Sequence, residues 1–162
     1  MIIRTERPGD VEAVQALVQA AFGQAEEAEV VERLRDDPDL VISLVADIDR
    51  QVVGHIMFSR LGSSAGLDLA QLSPLSVAPS RQRSGIGAAL AEAGIGICRV
   101  LGLDGVLVLG HPDYYPRFGF STEAAHALVS PFAGRPSFMG MALKPGVSLV
   151  GEVNFAKAFD GL

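Results

Sequence analysis

The chain has 162 residues and a mass of 17.0 kDa, with 49% apolar and 20% charged residues, which suits one domain with a buried core and excludes wholesale disorder. Against 13 Lys+Arg stand 19 Asp+Glu, a net charge of -6 that disfavours a binder of phosphate backbones and suits a cationic small partner. Cys98 is the single cysteine, so an intrachain disulfide and a cysteine metal cluster are both excluded. Mean hydropathy is +0.33, yet no apolar stretch approaches the ~20 residues of a membrane-spanning helix, and the first ten residues carry charges where a signal peptide is apolar. A soluble cytoplasmic protein with one domain over residues 1–162 is expected.

Met1 to Arg4 reads as an edge strand. Arg7-Pro8-Gly9-Asp10 supplies a turn and an N-cap, after which Val11, Val14, Leu17, Val18, Ala21 and Phe22 recur at the spacing of one helix face. A second helix sets acidic Glu26, Glu27, Glu29 and Glu32 against apolar Ala28, Val31 and Leu34, and Asp36-Asp37-Pro38 ends it. Three strands follow, Leu40 to Asp47, Gln51 to Arg60 and Leu67 to Val77, with a loop over Gly62 to Gly66. Proline cannot donate to a ladder, so Pro74 predicts a bulge or a splayed edge near Leu75. A helix then runs to Leu101 with Ile86, Leu90, Ala93, Ile97 and Leu101 on its apolar face, capped by Gly102. Gly105 to Gly110 is a short buried strand, His111 to Phe120 a compact aromatic segment, and Phe138 to Leu143 and Val147 to Phe155 are closing strands.

The most informative stretch is Leu75 to Leu90, where a strand ends, a basic turn with two glycines follows, and a helix begins on those glycines. A helix N-terminus offers unpaired amides and the positive end of the macrodipole. Gly85 and Gly87 lack Cβ atoms, so a pyrophosphate can approach the backbone, and Arg81 and Arg83 add positive charge to an acidic protein. The dinucleotide fingerprint is not met, because Ala88, Ala89 and Leu90 follow Gly87, and no lysine lies in this segment, which excludes a P-loop. Taken on spacing alone, an ordinary strand-to-helix turn explains the same residues.

Val77-Ala78-Pro79-Ser80-Arg81-Gln82-Arg83-Ser84-Gly85-Ile86-Gly87 resembles the acetyl-CoA-binding motif of the GNAT N-acetyltransferase superfamily, Gln/Arg-x-x-Gly-x-Gly/Ala, met by Gln82, Gly85 and Gly87. The order of elements agrees over nearly the whole chain, and Leu72 to Val77 with Tyr114 to Phe120 is most similar to the YhbS-like branch. The resemblance implies an α+β GNAT fold, a mixed and mostly antiparallel sheet of six to seven strands flanked by helices on both faces. It implies acetyl-CoA as cosubstrate and no metal. In the family the strand before the motif splays from its neighbour, so the backbone of Leu75, Ser76 and Val77 is expected to bond the pantetheine arm. The segment Gln82, Arg83, Ser84, Gly85, Ile86, Gly87 and Ala88 is expected to cradle the pyrophosphate. Tyr115 matches the family's Tyr-x-x-x-Gly-Phe pattern with Gly119 and Phe120, which implies a general acid for the CoA sulfur; a purely packing role is the alternative. Tyr114 reads as core or pocket wall. The asparagine that many members carry before the tyrosine has no counterpart near Val108, so a short helix lacking that contact is expected.

Acetyl transfer to an amine needs a neutral amine, donors for the oxyanion and a proton for the thiolate. The base stays open among His55, His111, Asp113, Glu26 and Glu27, or a water chain; a lone strand histidine such as His55 is more often a packing residue, and His111 and Asp113, better placed, are equally explained as capping groups. The acidic second helix is either a solvated face or a wall that attracts a cationic amine. Direct acetyl transfer to a primary amine of a small molecule or protein is expected; a non-catalytic acyl-CoA sensor is the alternative. The acidic charge opposes tRNA as a partner, and the apolar closing strands allow a homodimer.

Overall fold

Residues 1–160 are described by a computed structural model of the chain. It opens with β1 (Ile2–Thr5), a one-turn 3₁₀ helix at Pro8–Asp10, and two helices, α1 (Val11–Phe22) and α2 (Glu26–Arg35). Asp10 does not cap α1 with its side chain as expected. Its carboxylate instead accepts the Arg7 amide at 2.7 Å and the Arg4 guanidinium at 2.7 and 3.0 Å, and Arg4 also holds Asp47. A bidentate charged partner outweighs one orphan amide.

Three long strands follow, β2 (Leu40–Ile48), β3 (Gln51–Ser63) and β4 (Leu69–Val77), each antiparallel to the one before. Then come α3 (Ile86–Val100), β5 (Gly105–Leu109), α4 (Thr122–Ala125), β6 (Leu128–Val129), β7 (Phe138–Ala142) and β8 (Gly151–Asn154). The main path of the sheet is β1-β2-β3-β4-β5-β7, with β8 joining the end of β3 and pairing with β6. Among the described residues only β4–β5 and β6–β8 are parallel. The sheet has eight strands rather than six or seven, because two-residue β6 is too short to show a sequence pattern. Strand β8 does not lie beside β7; it meets Gly62 and Ser63, which extend β3 into the expected loop.

Apolar side chains pack on both faces of the sheet. Helices α1 and α2 bury Val14, Val18, Val31 and Leu34 with Val45 and Met57 on one side. On the other, α3 packs Ile86, Leu90, Ala91, Ile95 and Cys98 over Ile56, Phe58 and Leu72. The buried stripe of α3 is rotated from the expected one, since Leu101 is 55% exposed while Gly94 is buried. Glycine is invisible to an apolar pattern, yet a Cβ at Gly94 would lie 2.1 Å from the Phe58 ring, so the missing side chain is what admits the aromatic.

Two features of β4 create a cleft. Between the pairs Ile56–Leu75 and Phe58–Leu72 the register slips, leaving an extra residue on β4 around Ser73 and cis Pro74, as the proline predicts. Strand β5 pairs with β4 only from Leu69 to Gln71 and then turns away to follow β7. Beyond Gln71 the β5-facing edge of β4 is unpaired, and its backbone groups are open to a ligand.

Candidate active site

Two cavities occupy the cleft. The larger, about 650 Å³, lies where β4 runs into α3 and is walled by Leu75, Val77, the 81–88 turn, His111, Tyr114, Tyr115 and Arg117. The smaller, about 380 Å³, lies toward α1 and α2 and is walled by Phe22, Glu27, Val30, residues 72–75, residues 109–111, Tyr115 and Phe159. Leu75, His111 and Tyr115 belong to both walls, so the cavities meet at one point.

The lining of the larger cavity is basic. At the start of α3 the amides of Ile86, Gly87 and Ala88 have no partner within the helix, and the first helical bond is Ala89 N to Gly85 O at 3.0 Å. Gly85 has φ 88°, in the left-handed region that a side chain disfavours, and Arg83 enters the same region at 62°. Two side chains shape the turn: Gln82 Nε2 donates to Val77 O at 3.1 Å, and the Ser84 hydroxyl donates to Arg81 O. Arg81, Arg83 and Arg117 line the cavity, no carboxylate does, and among the described residues none of the three is in an ion pair. Arg117 escaped the sequence reading because it lies 34 positions beyond Arg83. Its guanidinium sits 4.3 Å from the Tyr114 ring centroid and its Nε donates to Tyr114 O at 2.9 Å.

The expected cofactor residues are largely brought together here: Leu75, Val77, Gln82, Arg83, Gly85, Ile86, Gly87 and Ala88 all line the larger cavity. Ser76 has its side chain on the opposite face, buried and with an unpartnered Oγ, so only its backbone is available to the cleft. Ser84 is exposed and spends its hydroxyl within the turn. Tyr114 is a wall of the cavity, half-buried, and its hydroxyl comes within 2.9 Å of where a Cβ on Gly87 would stand.

Tyr115 is 9% exposed and begins a single 3₁₀ turn, Tyr115–Phe118, rather than a longer helix; Val108, at the family's asparagine place, is a buried residue of β5. The turn exists because Pro116 pre-sets φ and Gly119, at φ 104°, reverses the chain at its end. The Tyr115 ring packs edge-on against Tyr114 at 5.1 Å and Phe120 at 5.9 Å. Burial, with Tyr114 adding in the same direction, pushes its hydroxyl up to about 12, so it holds its proton at neutral pH. Gly110 was missed by the sequence reading although it makes room for this ring: a Cβ there would stand 2.2 Å from Cε2.

The candidate bases separate. His111 lines both cavities and is exposed; its backbone carbonyl, not its ring, supports the next turn by accepting from Tyr114 at 3.0 Å. Asp113 is exposed and lines neither cavity. Of the acidic helix only Glu27 reaches the smaller cavity, half-buried, whereas Glu26 and Glu29 are exposed. His55 is 0% exposed and lines neither cavity. It belongs to a buried network with Glu6, Ser43 and Arg35. The Ser43 hydroxyl donates to Glu6 Oε2 and sits 2.9 Å from His55 Nε2, so the ring must donate from Nε2. Burial pushes the Glu6 carboxyl up, but His55, Ser43 and Arg35 outweigh it and hold the group at about 2. Among the described residues no cluster of His, Cys, Asp or Glu is placed to hold a metal, and the buried Cys98 thiol is pushed up to about 11 by burial, as befits a packing residue.

Similarity to known proteins agrees with this geometry. The acetyltransferase (GNAT) family profile matches residues 11–120. The uncharacterized N-acetyltransferase YhbS of Escherichia coli (strain K12) is 34% identical over 139 residues, 85% of this chain and 83% of YhbS. The uncharacterized N-acetyltransferase YjhQ of the same organism is 37% identical over 116 residues, 68% of this chain, which spans 64% of YjhQ. Among solved structures, a GNAT family acetyltransferase from Brucella melitensis in complex with acetyl-CoA superposes with a TM-score of 0.83 at 36% identity, covering 98% of this chain and 97% of that one. E. coli YhbS in complex with CoA gives 0.87 at 32% identity, covering 98% and 91%.

Proposed function

The chain belongs to the GNAT acetyltransferase family, and on that premise we propose that it transfers the acetyl group of acetyl-CoA directly to a primary amine in a ternary complex. The observation that carries the reading is the pair of cavities meeting at Leu75, His111 and Tyr115, one lined by three uncompensated arginines and the other by one carboxylate. A polyanionic cosubstrate and a cationic acceptor thus enter from opposite sides and meet at a single point.

The amides at the start of α3 and Arg81, Arg83 and Arg117 hold the phosphates of acetyl-CoA. The open edge of β4 from Leu75 to Val77 bonds the pantetheine amides as a missing strand would, directing the thioester toward Tyr115. The amine nitrogen bonds to the acetyl carbon, the carbon–sulfur bond breaks, and the nitrogen gives up one proton while the sulfur takes one. In this reading His111 accepts the proton from nitrogen and Tyr115 donates to the departing sulfur, a pairing supported by both residues lining both cavities. A hydroxyl held at about 12 is never ionised at working pH, so it is always available as a donor.

Acetyl-CoA incubated with amines should release free thiol, and Tyr115→Phe and His111→Gln should each lower kcat by roughly 10²–10⁴-fold, the usual span of acid–base catalysis. An unchanged kcat removes that residue from its role. Acetyl-CoA binding without thiol release from any amine would leave the chain an acyl-CoA sensor.

A further inference from the structure

The smaller cavity restricts what the acceptor is. Among the described residues, apart from Tyr115 and His111 at the junction, its one titratable side chain is Glu27, and no lysine or arginine lines it. Glu27 is half-buried at the first turn of α2, and its two oxygens accept from Gln24 Nε2 at 2.9 and 3.1 Å. Among the described residues no cation pairs with it, whereas neighbouring Glu29 reaches Arg33 at 4.0 Å. Around that carboxylate most of the wall is apolar, with Phe22, Val30, Leu75, Leu109 and Phe159 beside the hydroxyl-bearing Ser73, and Phe22 is left 41% exposed although it is a large hydrophobe. The volume, about 380 Å³, is at the small end for ligand sites.

Each of these facts removes a class of acceptor. A free amino acid brings a carboxylate that would meet Glu27 with no cation to balance it. A polyamine brings several charges to a cavity whose described lining holds one carboxylate, so its extra ammonium groups find no second counter-charge. A neutral body with one ammonium satisfies both the carboxylate and the apolar lining. We propose that the acceptor is a small monoamine, one primary ammonium on an aromatic or branched apolar body without a carboxylate, drawn in by Glu27. This rests on the reading of the cleft as an acetyl-transfer site. The ammonium docks against Glu27 in the cavity that Phe22 also lines, gives its first proton to solvent, attacks as the neutral amine, and passes its second proton to His111 as the bond to carbon forms.

The test uses 2-phenylethylamine, phenylalanine, which adds a carboxylate to the same body, and spermidine. Thiol release from acetyl-CoA is measured with each, and calorimetry measures 2-phenylethylamine binding to the CoA-loaded protein. The expected result is a kcat/KM for 2-phenylethylamine at least ~10-fold above the other two. Glu27→Gln should raise its KM by about ten-fold, leaving the KM for acetyl-CoA unchanged, and should weaken its calorimetric Kd in parallel. Preference for phenylalanine or spermidine, or indifference to Glu27→Gln, overturns the proposal while leaving acetyl transfer standing. Glu27-dependent binding with no thiol released would support the acceptor class and refute the transfer reading. An amine that neither binds nor reacts refutes the acceptor class outright.

Discussion

Gly110 offers a test of whether the placement of Tyr115, rather than its mere presence, sets the rate. An alanine Cβ at this position would stand 2.2 Å from Cε2 and 2.6 Å from Cδ2 of the Tyr115 ring. Ordinary carbon–carbon contact begins near ~3.5 Å, so the ring must retreat by about 1.3 Å or tilt away from the junction of the two cavities. Tyr114, Phe118 and Phe120 surround the ring with centroids at 5.1, 6.3 and 5.9 Å, which limits the directions open to it. A misplacement of ~1 Å at a reacting group can cost about 10²-fold, and accommodating an extra methyl in a packed region costs about 1–3 kcal/mol. Gly110→Ala is therefore expected to lower kcat by roughly 10²-fold, with little change in the KM for acetyl-CoA, because the α3 amides and the arginines do not touch this position. Steady-state thiol release, read beside a thermal melt, separates the two effects. A kcat within two-fold of the parent protein, in a variant that melts normally, would refute the reasoning, because the hydroxyl would have been displaced without consequence.

The remaining predictions concern the buried network and the cofactor cradle. Glu6 has a side chain only 6% exposed and is held at about 2 against an ordinary 4.5, so the folded protein favours its ionised form. That stabilisation, on the order of 3 kcal/mol, is present above pH ~4.5 and is lost as the pH falls toward ~2. Glu6→Gln should lower stability to urea at pH 7 by about that amount and flatten its fall between pH 4.5 and 3; a variant as acid-sensitive as the parent counts against the network. Arg117→Ala removes one of three exposed cations from the phosphate side, and the KM for acetyl-CoA should rise by about two- to ten-fold, with the difference narrowing at high salt. A defect confined to kcat would place Arg117 elsewhere in the reaction.

The turn proposed to hold the phosphates was legible in the sequence because it is local. The end of β4, the turn with Gln82, Gly85 and Gly87, and the start of α3 are neighbours along the chain, and unpaired amides at a helix N-terminus follow from helix geometry alone. The bulge at Pro74 was equally legible, since a missing amide proton is a property of the residue. The apolar face of α3 was not, because Gly94 carries no signal until Phe58 is seen to lie on it.

By itself, the sequence determined which segment could accept phosphates, which tyrosine stood at the family's place, and which side chains were candidates for the proton. The tertiary structure alone sorted those candidates by whether they line the cavities. Glu27 was separated from Glu26 and Glu29 by the face that α2 turns to the smaller cavity, and His111 from His55 by the parting of β4 and β5. Residues as distant as Phe22, Leu75, Gly110 and Phe159 became neighbours only when the sheet opened. Cavities arise from elements that fail to touch, and no periodicity along a chain records where two strands part.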